Sequence, residues 1–243
     1  MNGAYQDQKI ARVYTDFLDS FNGQIQRQIL GQAISGALPE GDLTLLDAAC
    51  GTGWLAAELK PRFPKTYACD SSSQLIALGR QRYPAVEFSH CDIQISLPYP
   101  DGFFDAIILN MAGPDLSDLD AALKNLAAKT KNGGRLILTL PNPYYTYPAA
   151  VWKRSPLDFL LRRKPKLLIN KNYFGPEQII REFGGQTIPS HFYSLSAYFM
   201  AAKRANLNFN RLAELKSQTD SSRFDLNYQM FRYPLILLLE FYK

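Results

Sequence analysis

The chain has 243 residues, of which 47% are hydrophobic and 20% are charged, and its net charge at pH 7 is +5. This composition is typical of an ordinary globular α/β protein with a sizeable core. The charge is too small to indicate a nucleic acid partner unless it is clustered. The longest apolar run, Leu235 to Leu239, is too short to span a bilayer, and the first residues lack a signal-peptide pattern. We therefore expect a cytoplasmic protein.

Apolar residues recur at helical spacing between residues 5 and 35, which predicts one or two amphipathic helices as an N-terminal cap. Strands and helices then alternate. A helix is predicted from Trp54, another from the cap Ser71-Ser72-Ser73 to Arg82, and a third from Ser117 to Lys129, ended by Asn132-Gly133-Gly134. The predicted strands are Leu43 to Ala48, Thr66 to Cys69, Val86 to Ser89, Phe104 to Leu109 and Arg135 to Leu140.

The pattern changes after Pro141. Residues 141–174 show no clean periodicity, and a helix is predicted from Pro176 to Phe183 with Gly184-Gly185 closing it. A short strand at Gln186 to Pro189, a mostly helical stretch over residues 192–222 and a last strand from Tyr233 to Phe241 complete the chain.

Strands that alternate with helices predict an α/β fold with a doubly wound, mostly parallel, seven-stranded sheet. We expect one domain over residues 1–243. It comprises the helical cap (1–40), a cofactor-binding core (42–141), a substrate-side insertion after the fifth strand (142–175) and a C-terminal part of the sheet with a helical insert (176–243).

The segment from Leu45 to Gly53 predicts a buried strand that ends in a glycine-rich turn, where the backbone can approach a ligand. Its G-x-G-x-x-A pattern also fits a dinucleotide fingerprint. However, Asp47 at the mouth of the strand and Asp92 at a neighbouring strand end would repel a pyrophosphate. These acids favour a cofactor with positive charge, such as S-adenosylmethionine, over a nicotinamide cofactor.

The three cysteines, Cys50, Cys69 and Cys91, fall at the predicted carboxyl ends of strands. Their count is odd and no CxxC pair occurs, so reduced thiols are expected. With only two histidines in the chain, the spacing argues against a zinc site. No metal is predicted.

Several segments in order resemble the class I S-adenosylmethionine-dependent methyltransferases, in particular the small-molecule branch with the pattern LD-x-x-CGTG. They are Leu46 to Gly53, Asp70 after the second strand, Cys91-Asp92-Ile93 after the third, Leu97 to Asp105, and Gly133 to Leu136. The resemblance covers residues 42–141 most strongly and continues loosely through Pro176 to Gly185 and the last strand. One departure is Ala49, where the family most often has glycine.

The resemblance implies a role for each matched position. The backbone of Ala49, Gly51 and Gly53 would pass the methionine part of the cofactor, and Asp70 would accept both ribose hydroxyls. Asp92 would accept the adenine amino group with Ile93 against the ring. The carbonyl of Asn110 would bind the ammonium, and Tyr14, with Tyr5 as the alternative, would cover the cofactor. The full predicted cofactor set is Tyr14, Asp47, Ala49, Cys50, Gly51, Gly53, Asp70, Ser71, Cys91, Asp92, Ile93 and Asn110.

Methyl transfer from a sulfonium is an in-line displacement that depends mainly on alignment of the reacting atoms. A general base is needed only if the acceptor arrives protonated. His191 and Tyr145 are the candidate catalytic residues, because an imidazole can deprotonate a hydroxyl and the segment Asn142 to Tyr145 leaves the fifth strand toward the expected methyl position. The predicted activity is methyl transfer to an oxygen or nitrogen of a small molecule.

Alternatives remain open at the sequence level. Asn110-Met111-Ala112-Gly113 lacks the Asn/Asp-Pro-Pro-aromatic motif of many nucleobase and amide methyltransferases, which argues against those acceptors. Two alternative functions remain: an RNA or protein methyltransferase, and a methyltransferase-like protein that binds without turnover. The insertion is rich in cations, which could recognise an anionic acceptor, a membrane surface or RNA: Lys153, Arg154, Arg162, Arg163, Lys164, Lys166 and Lys171.

Overall fold

A seven-stranded sheet forms the centre of the computed structural model, which describes residues 3–161, 163–169, 173 and 178–243. The strands of this sheet are β1 (Thr44–Ala48), β2 (Lys65–Asp70), β3 (Glu87–His90), β4 (Phe104–Asn110), β5 (Thr130–Pro141), β10 (Asn208–Leu215) and β11 (Ile236–Tyr242). Their spatial order is β10-β11-β5-β4-β1-β2-β3. β1 to β5 are parallel, and β11 is antiparallel to both of its neighbours.

Helices cover both faces of the sheet, which confirms the predicted doubly wound fold. They are α1 (Gln8–Asp19), α2 (Phe21–Ala37), α3 (Trp54–Leu59), α4 (Ser73–Arg82), α5 (Leu119–Lys129), α6 (Pro156–Leu160), α7 (Leu195–Arg204) and α8 (Leu226–Arg232). α5 and α7 contribute to one apolar core, and α2, α3 and α8 contribute to a second.

Strand residues alternate between these two cores. In β4, Ile107 and Leu109 enter the core with α5 and α7, whereas Ala106 and Ile108 enter the other. Successive side chains of a strand point to opposite faces of the sheet, and helices cover both faces here. The sequence of the strand is therefore one continuous apolar run. The central sheet is therefore held from both sides, and it presents the carboxyl ends of β1, β2 and β4 at one edge.

Two small hairpins follow the parallel strands. β6 (Ala150–Lys153) pairs with β7 (Lys166–Ile169), and β8 (Gln178–Phe183) pairs with β9 (Gln186–His191), both antiparallel. Neither hairpin joins the central sheet.

The helix predicted over Pro176 to Phe183 is wrong for its described part, since residues 178–183 form β8; Pro176 itself lies outside the described residues. Gly184 and Gly185 adopt φ of 55° and 75°, which is the left-handed backbone of a tight hairpin turn. The two glycines therefore close a hairpin and do not end a helix. β-Branched Ile179 and Ile180 also favour the strand.

Two further boundaries differ from the prediction. The strand predicted at Gln186 to Pro189 is present as β9 but lies outside the central sheet, whose seventh strand is β10. Residues 192–222, which were predicted to be mostly helical, contain both α7 and β10. α5 ends at Lys129 with Thr130 as its C-cap, and Asn132-Gly133-Gly134 already belongs to β5. Pairing with β11, the next strand along the chain, carries β10 into the sheet and overrides its local pattern.

Candidate functional site

The glycine-rich loop between β1 and α3 holds its backbone in the left-handed region. Ala49, Gly51 and Gly53 have φ of 54°, 59° and 75°. A Cβ added to Gly51 would lie 2.8 Å from the hydroxyl oxygen of Tyr14, and one added to Gly53 would lie 2.5 Å from the ring of Phe88. Both close approaches require glycine. The loop thus passes directly beneath a tyrosine that α1 provides.

Asp70 ends β2 and ties this loop to the next helix. Its Oδ2 accepts a hydrogen bond from the Gly51 backbone N–H at 2.8 Å, and its Oδ1 accepts one from the Ser72 backbone N–H at 2.8 Å. Burial raises the pKa of Asp70 to about 6, and the two backbone donors oppose that rise. The group is therefore ionised at neutral pH, and each oxygen retains capacity for a further donor.

Asp47 lies beneath the loop, with a buried side chain. Its side chain is 1% exposed, and its Oδ2 accepts a hydrogen bond from the Ala56 N–H of α3 at 3.2 Å. Burial raises the pKa of Asp47 to about 8, so the carboxyl is mostly protonated at pH 7. The expected attraction between this carboxyl and a cationic cofactor stays a prediction. Asp47 instead joins the loop to the first turn of α3.

A cavity of about 250 Å³ lies over the loop at the carboxyl edge of the sheet. Half of the predicted cofactor set lines it: Tyr14, Ala49, Gly51, Asp70, Ser71 and Asn110. The other half lies outside this lining: Asp47, Cys50, Gly53, Cys91, Asp92 and Ile93.

The residues after β3 illustrate the difference. Ile93 is fully buried in the core with α5, and Asp92 accepts hydrogen bonds from the backbone and side chain of Gln94. Cys50 is buried at 5% exposure, and Cys91 packs against the same core as Ile93. Their implied contacts with adenine and cofactor stay predictions.

Sequence reasoning missed the far wall of this cavity. Arg181 and Phe183 of β8 line it together with Asp115. Phe183 also packs edge-on against Phe17 of α1, with ring centroids 5.4 Å apart. In the structure, alternate residues of this strand are half-buried, namely Ile179, Arg181 and Phe183. The sequence gives little warning of this, because Ile179 and Ile180 are adjacent and Arg181 is charged.

A second cavity, of about 220 Å³, adjoins the first and shares Pro141 and Arg181 with it. Its remaining lining is mostly aromatic and prolyl: Pro114, Pro143, Thr146, Tyr147, Ile179, His191, Phe192, Tyr193 and Tyr198. The structure places His191 here, at the end of β9. Tyr145 lies outside this lining, with its ring 6.1 Å from that of Tyr233, and Tyr147 lines the cavity from the same segment.

Arg181 stands where the two cavities meet. Its Nη2 donates to Asp115 Oδ1 at 2.6 Å, and its Nε donates to Ser190 Oγ at 2.6 Å. Burial raises the pKa of Asp115, and the adjacent guanidinium opposes the rise. The ion pair fixes β8 against the turn that follows β4. This contact gives both cavities a common, charged boundary.

The geometry fits a nucleoside cofactor without phosphate. The left-handed loop offers open backbone beside the cavity, and the buried carboxylate of Asp70 can accept the two hydroxyls of a ribose. Within the described ranges, no group of three or more His, Cys, Asp or Glu side chains could hold a metal ion. No helix in the described part of the chain is long and apolar enough to cross a membrane. Fold and site together define a Rossmann-like domain of the class I methyltransferase type.

Comparison with known sequences agrees. Residues 46–138 match the family described as a methyltransferase domain. Over these residues the chain is similar to the class I methyltransferases that depend on S-adenosylmethionine. It is 30% identical over 150 residues to the malonyl-[acyl-carrier protein] O-methyltransferase of Erwinia pyrifoliae, covering 60% of this chain and 57% of that protein. It is 34% identical over 119 residues to the demethylmenaquinone methyltransferase of Thermus thermophilus, covering 46% and 54%. The chain thus spans about half the length of these relatives.

Solved structures share the fold over a larger part of the chain. An S-adenosylmethionine-dependent methyltransferase from Mesorhizobium loti superimposes with a TM-score of 0.69 at 20% identity, covering 87% of this chain and 96% of that one. The geranyl diphosphate C-methyltransferase of Streptomyces coelicolor gives a TM-score of 0.58 at 16% identity, covering 89% and 79%. At these identities the likeness concerns the fold.

Proposed function

We propose that this protein transfers the methyl group of S-adenosylmethionine to an oxygen or nitrogen of a small-molecule acceptor. The observation that carries the proposal is the pair of adjoining cavities, which share Pro141 and Arg181. One cavity has the glycine loop and Asp70, and the other is lined by aromatic side chains. Two reactants seated in them would meet at the shared boundary, and alignment of this kind supplies most of the acceleration in a displacement.

On the cofactor side, Asp70 would hold the ribose while the loop residues Ala49 and Gly51 pass the methionine part. Tyr14 would cover the cofactor from α1. When bound, S-adenosylmethionine supplies an electrophilic methyl group on a sulfonium. Every other contribution comes from the chain: exclusion of water by the tyrosine cover, and orientation by backbone and carboxylate.

On the acceptor side, the aromatic walls suit a planar or apolar molecule. His191 is the one imidazole in that lining, and a neutral imidazole can take the proton of a hydroxyl acceptor. Among the relatives are a malonyl-[acyl-carrier protein] O-methyltransferase and a demethylmenaquinone methyltransferase. These relatives support methyl transfer as the reaction and do not assign this chain's acceptor.

The cofactor part is tested by calorimetry with adenosylhomocysteine. Because the ionised form of Asp70 accepts the ribose hydroxyls, affinity should fall as pH drops through about 6 and be about tenfold weaker at one unit below that pKa. Asp70→Asn should weaken binding about a hundredfold, since two charge-assisted hydrogen bonds are lost. The exposed Asp16→Asn on α1 is the control. Equal affinity in the folded Asp70→Asn variant and the wild type would remove this assignment.

The acceptor part is tested with methyl-labelled cofactor. Label is expected in the small-molecule fraction of a cell extract, whereas label in RNA or protein would favour the macromolecular alternatives. Cofactor binding with no transfer to any fraction would favour a binding protein. His191→Ala should lower turnover and leave adenosylhomocysteine affinity unchanged. A wild-type turnover in that variant would take His191 out of the chemistry.

A further inference from the structure

The insertion after β5 exposes an unusual amount of apolar side chain. We define the insertion unit as residues 150–161 and 163–169, comprising β6, α6 and β7. Six large apolar side chains of this unit are exposed: Leu157 at 59%, Phe159 at 71%, Leu160 at 76%, Leu161 at 50%, Leu168 at 47% and Ile169 at 66%. Such a concentration in one short unit marks an interaction site more often than isolated exposed residues do.

The helix in this unit turns its apolar residues outward and its acid inward. Asp158 is 8% exposed, and its Oδ2 accepts from the Ser155 hydroxyl at 2.7 Å as part of a capping box. Leu157, Leu160 and Leu161 have the i, i+3, i+4 spacing of one helix face, and all three are exposed. This arrangement inverts that of an ordinary surface helix. The capping box fixes it in place.

Cations surround the exposed apolar residues. Lys153, Arg154, Arg163 and Lys166 are all exposed, and the Arg154 guanidinium lies 5.0 Å from the centre of the Phe159 ring. Lys153 and Lys166 are directly opposite each other in the pairing of β6 with β7. The only acid among the described residues of the unit is Asp158, which is turned inward. The outer face of the unit is thus apolar and positively charged.

We propose that the insertion unit docks on a membrane surface that contains anionic phospholipids. Leucine, isoleucine and phenylalanine side chains would enter the acyl boundary, while lysine and arginine would reach the phosphate groups. This inference goes beyond the proposed methyl transfer and does not depend on it.

Charge and side-chain chemistry disfavour the other occupants. A second copy of the chain in a twofold contact would bring the same cations face to face. RNA would use the cations, but it gains little from aliphatic side chains and stacks on aromatic ones, of which the unit exposes Phe159 alone among its large apolar residues. An anionic lipid surface uses both components.

The test is flotation of the full-length protein with vesicles. Vesicles of phosphatidylcholine plus phosphatidylglycerol should carry the protein, vesicles of phosphatidylcholine alone should carry much less, and high salt should release it. Leu160→Ser should lower partitioning about tenfold, because one leucine side chain that would enter the membrane is lost. Ile95→Ser is the matched control, since Ile95 is 78% exposed and lies outside the unit. It should partition like the wild type.

A charge variant separates docking from general attraction. Lys153→Glu combined with Lys166→Glu should weaken partitioning by an order of magnitude or more, whereas Lys203→Glu on α7 should change it little. The inference is overturned if anionic vesicles fail to carry the protein, or if Leu160→Ser binds them as well as Ile95→Ser. A dimer that Leu160→Ser dissociates, or tight RNA binding lost in the charge variant without vesicle binding, would also overturn it. Adenosylhomocysteine calorimetry without vesicles reports separately on the proposed function.

Discussion

Asp47 and Asp70 look alike in the sequence, but their different surroundings give the two carboxyl groups different chemistry. Asp47 and Asp70 both follow apolar strand residues, and both were expected to face the cofactor. The structure gives Asp70 two backbone donors and a place in the cavity lining, and it gives Asp47 one donor beneath the loop. The pKa of Asp47 rises to about 8 and that of Asp70 to about 6, in both cases mainly through burial. The number of donors decides how far each carboxyl tolerates its charge.

Asp47→Asn should become increasingly stabilising relative to the wild type as pH rises. The folded-state pKa of about 8 lies above the ordinary 3.8, so the folded protein holds a proton that the unfolded chain releases. As pH rises from about 4 to about 8, the wild type therefore loses the contribution of protonated Asp47 to its free energy of unfolding, at up to about 1.4 kcal/mol per pH unit. An asparagine oxygen can still accept from Ala56. Urea unfolding at pH 5 and pH 8 measures the change, with Asp16→Asn as the control; parallel pH curves for Asp47→Asn and the wild type would contradict it.

At the scale of elements, the β8–β9 hairpin builds the wall that faces the glycine loop. Its turn presses on α1, because a Cβ added to Gly184 would lie 2.2 Å from Val13 Cγ1. Gly185 has a similar left-handed backbone, but a Cβ there would meet nothing within 4 Å. Phe183 of the hairpin packs on Phe17 of α1, and both side chains line the cavity over the glycine loop.

Gly184→Ala should destabilise the protein more than Gly185→Ala does. Both substitutions strain a left-handed backbone by about 1 kcal/mol, but only the first adds an overlap with α1 of about 1–3 kcal/mol. Gly184→Ala should also weaken adenosylhomocysteine binding by moving Phe183. Thermal unfolding and calorimetry on both variants measure the difference. Val13→Ala should relieve the overlap in the Gly184→Ala background, and the absence of any such rescue would count against this contact.

At the scale of the whole molecule, an ion-pair network around the buried carboxylate of Glu240 joins α2 to three strands of the sheet. Glu240 of β11 is 2% exposed and accepts from Arg135 of β5 at 2.7 Å, and Arg211 of β10 lies 3.3 Å from its other oxygen. Arg135 also donates to the backbone carbonyl of Ala37 at the end of α2 at 2.7 Å. Four elements therefore depend on one carboxylate.

Glu240→Ala should lower the free energy of unfolding by about 1–3 kcal/mol, because the partly buried guanidinium of Arg135 and the half-exposed one of Arg211 lose their acceptor. Asp120→Ala removes the partner of Arg204 in an exposed pair, where both side chains are about half exposed, and should change stability by at most about 1 kcal/mol. Denaturant unfolding followed by circular dichroism compares the two. Similar losses in both variants would show that the network adds nothing beyond a surface pair.

The sequence by itself determined the parallel half of the fold and the near wall of the site. Leu45 to Gly53 and Asp70 lie within or next to elements whose signals are local: an apolar strand, a glycine turn and a helix cap. These signals act over a few residues, so the chain order alone fixes β1 to β5 and brings the glycine loop to Asp70. The class of cofactor followed from them.

Only the tertiary structure decided the far wall and the charge state of the buried acids. Arg181 and Phe183 line the same cavity as the glycine loop. The hairpin that carries them packs on α1, which lies more than 150 residues earlier in the chain. β10 forms a strand because it pairs with the free edge of β11. Desolvation likewise depends on everything that surrounds a group, so no local pattern could distinguish Asp47 beneath the loop from Asp70 beside it.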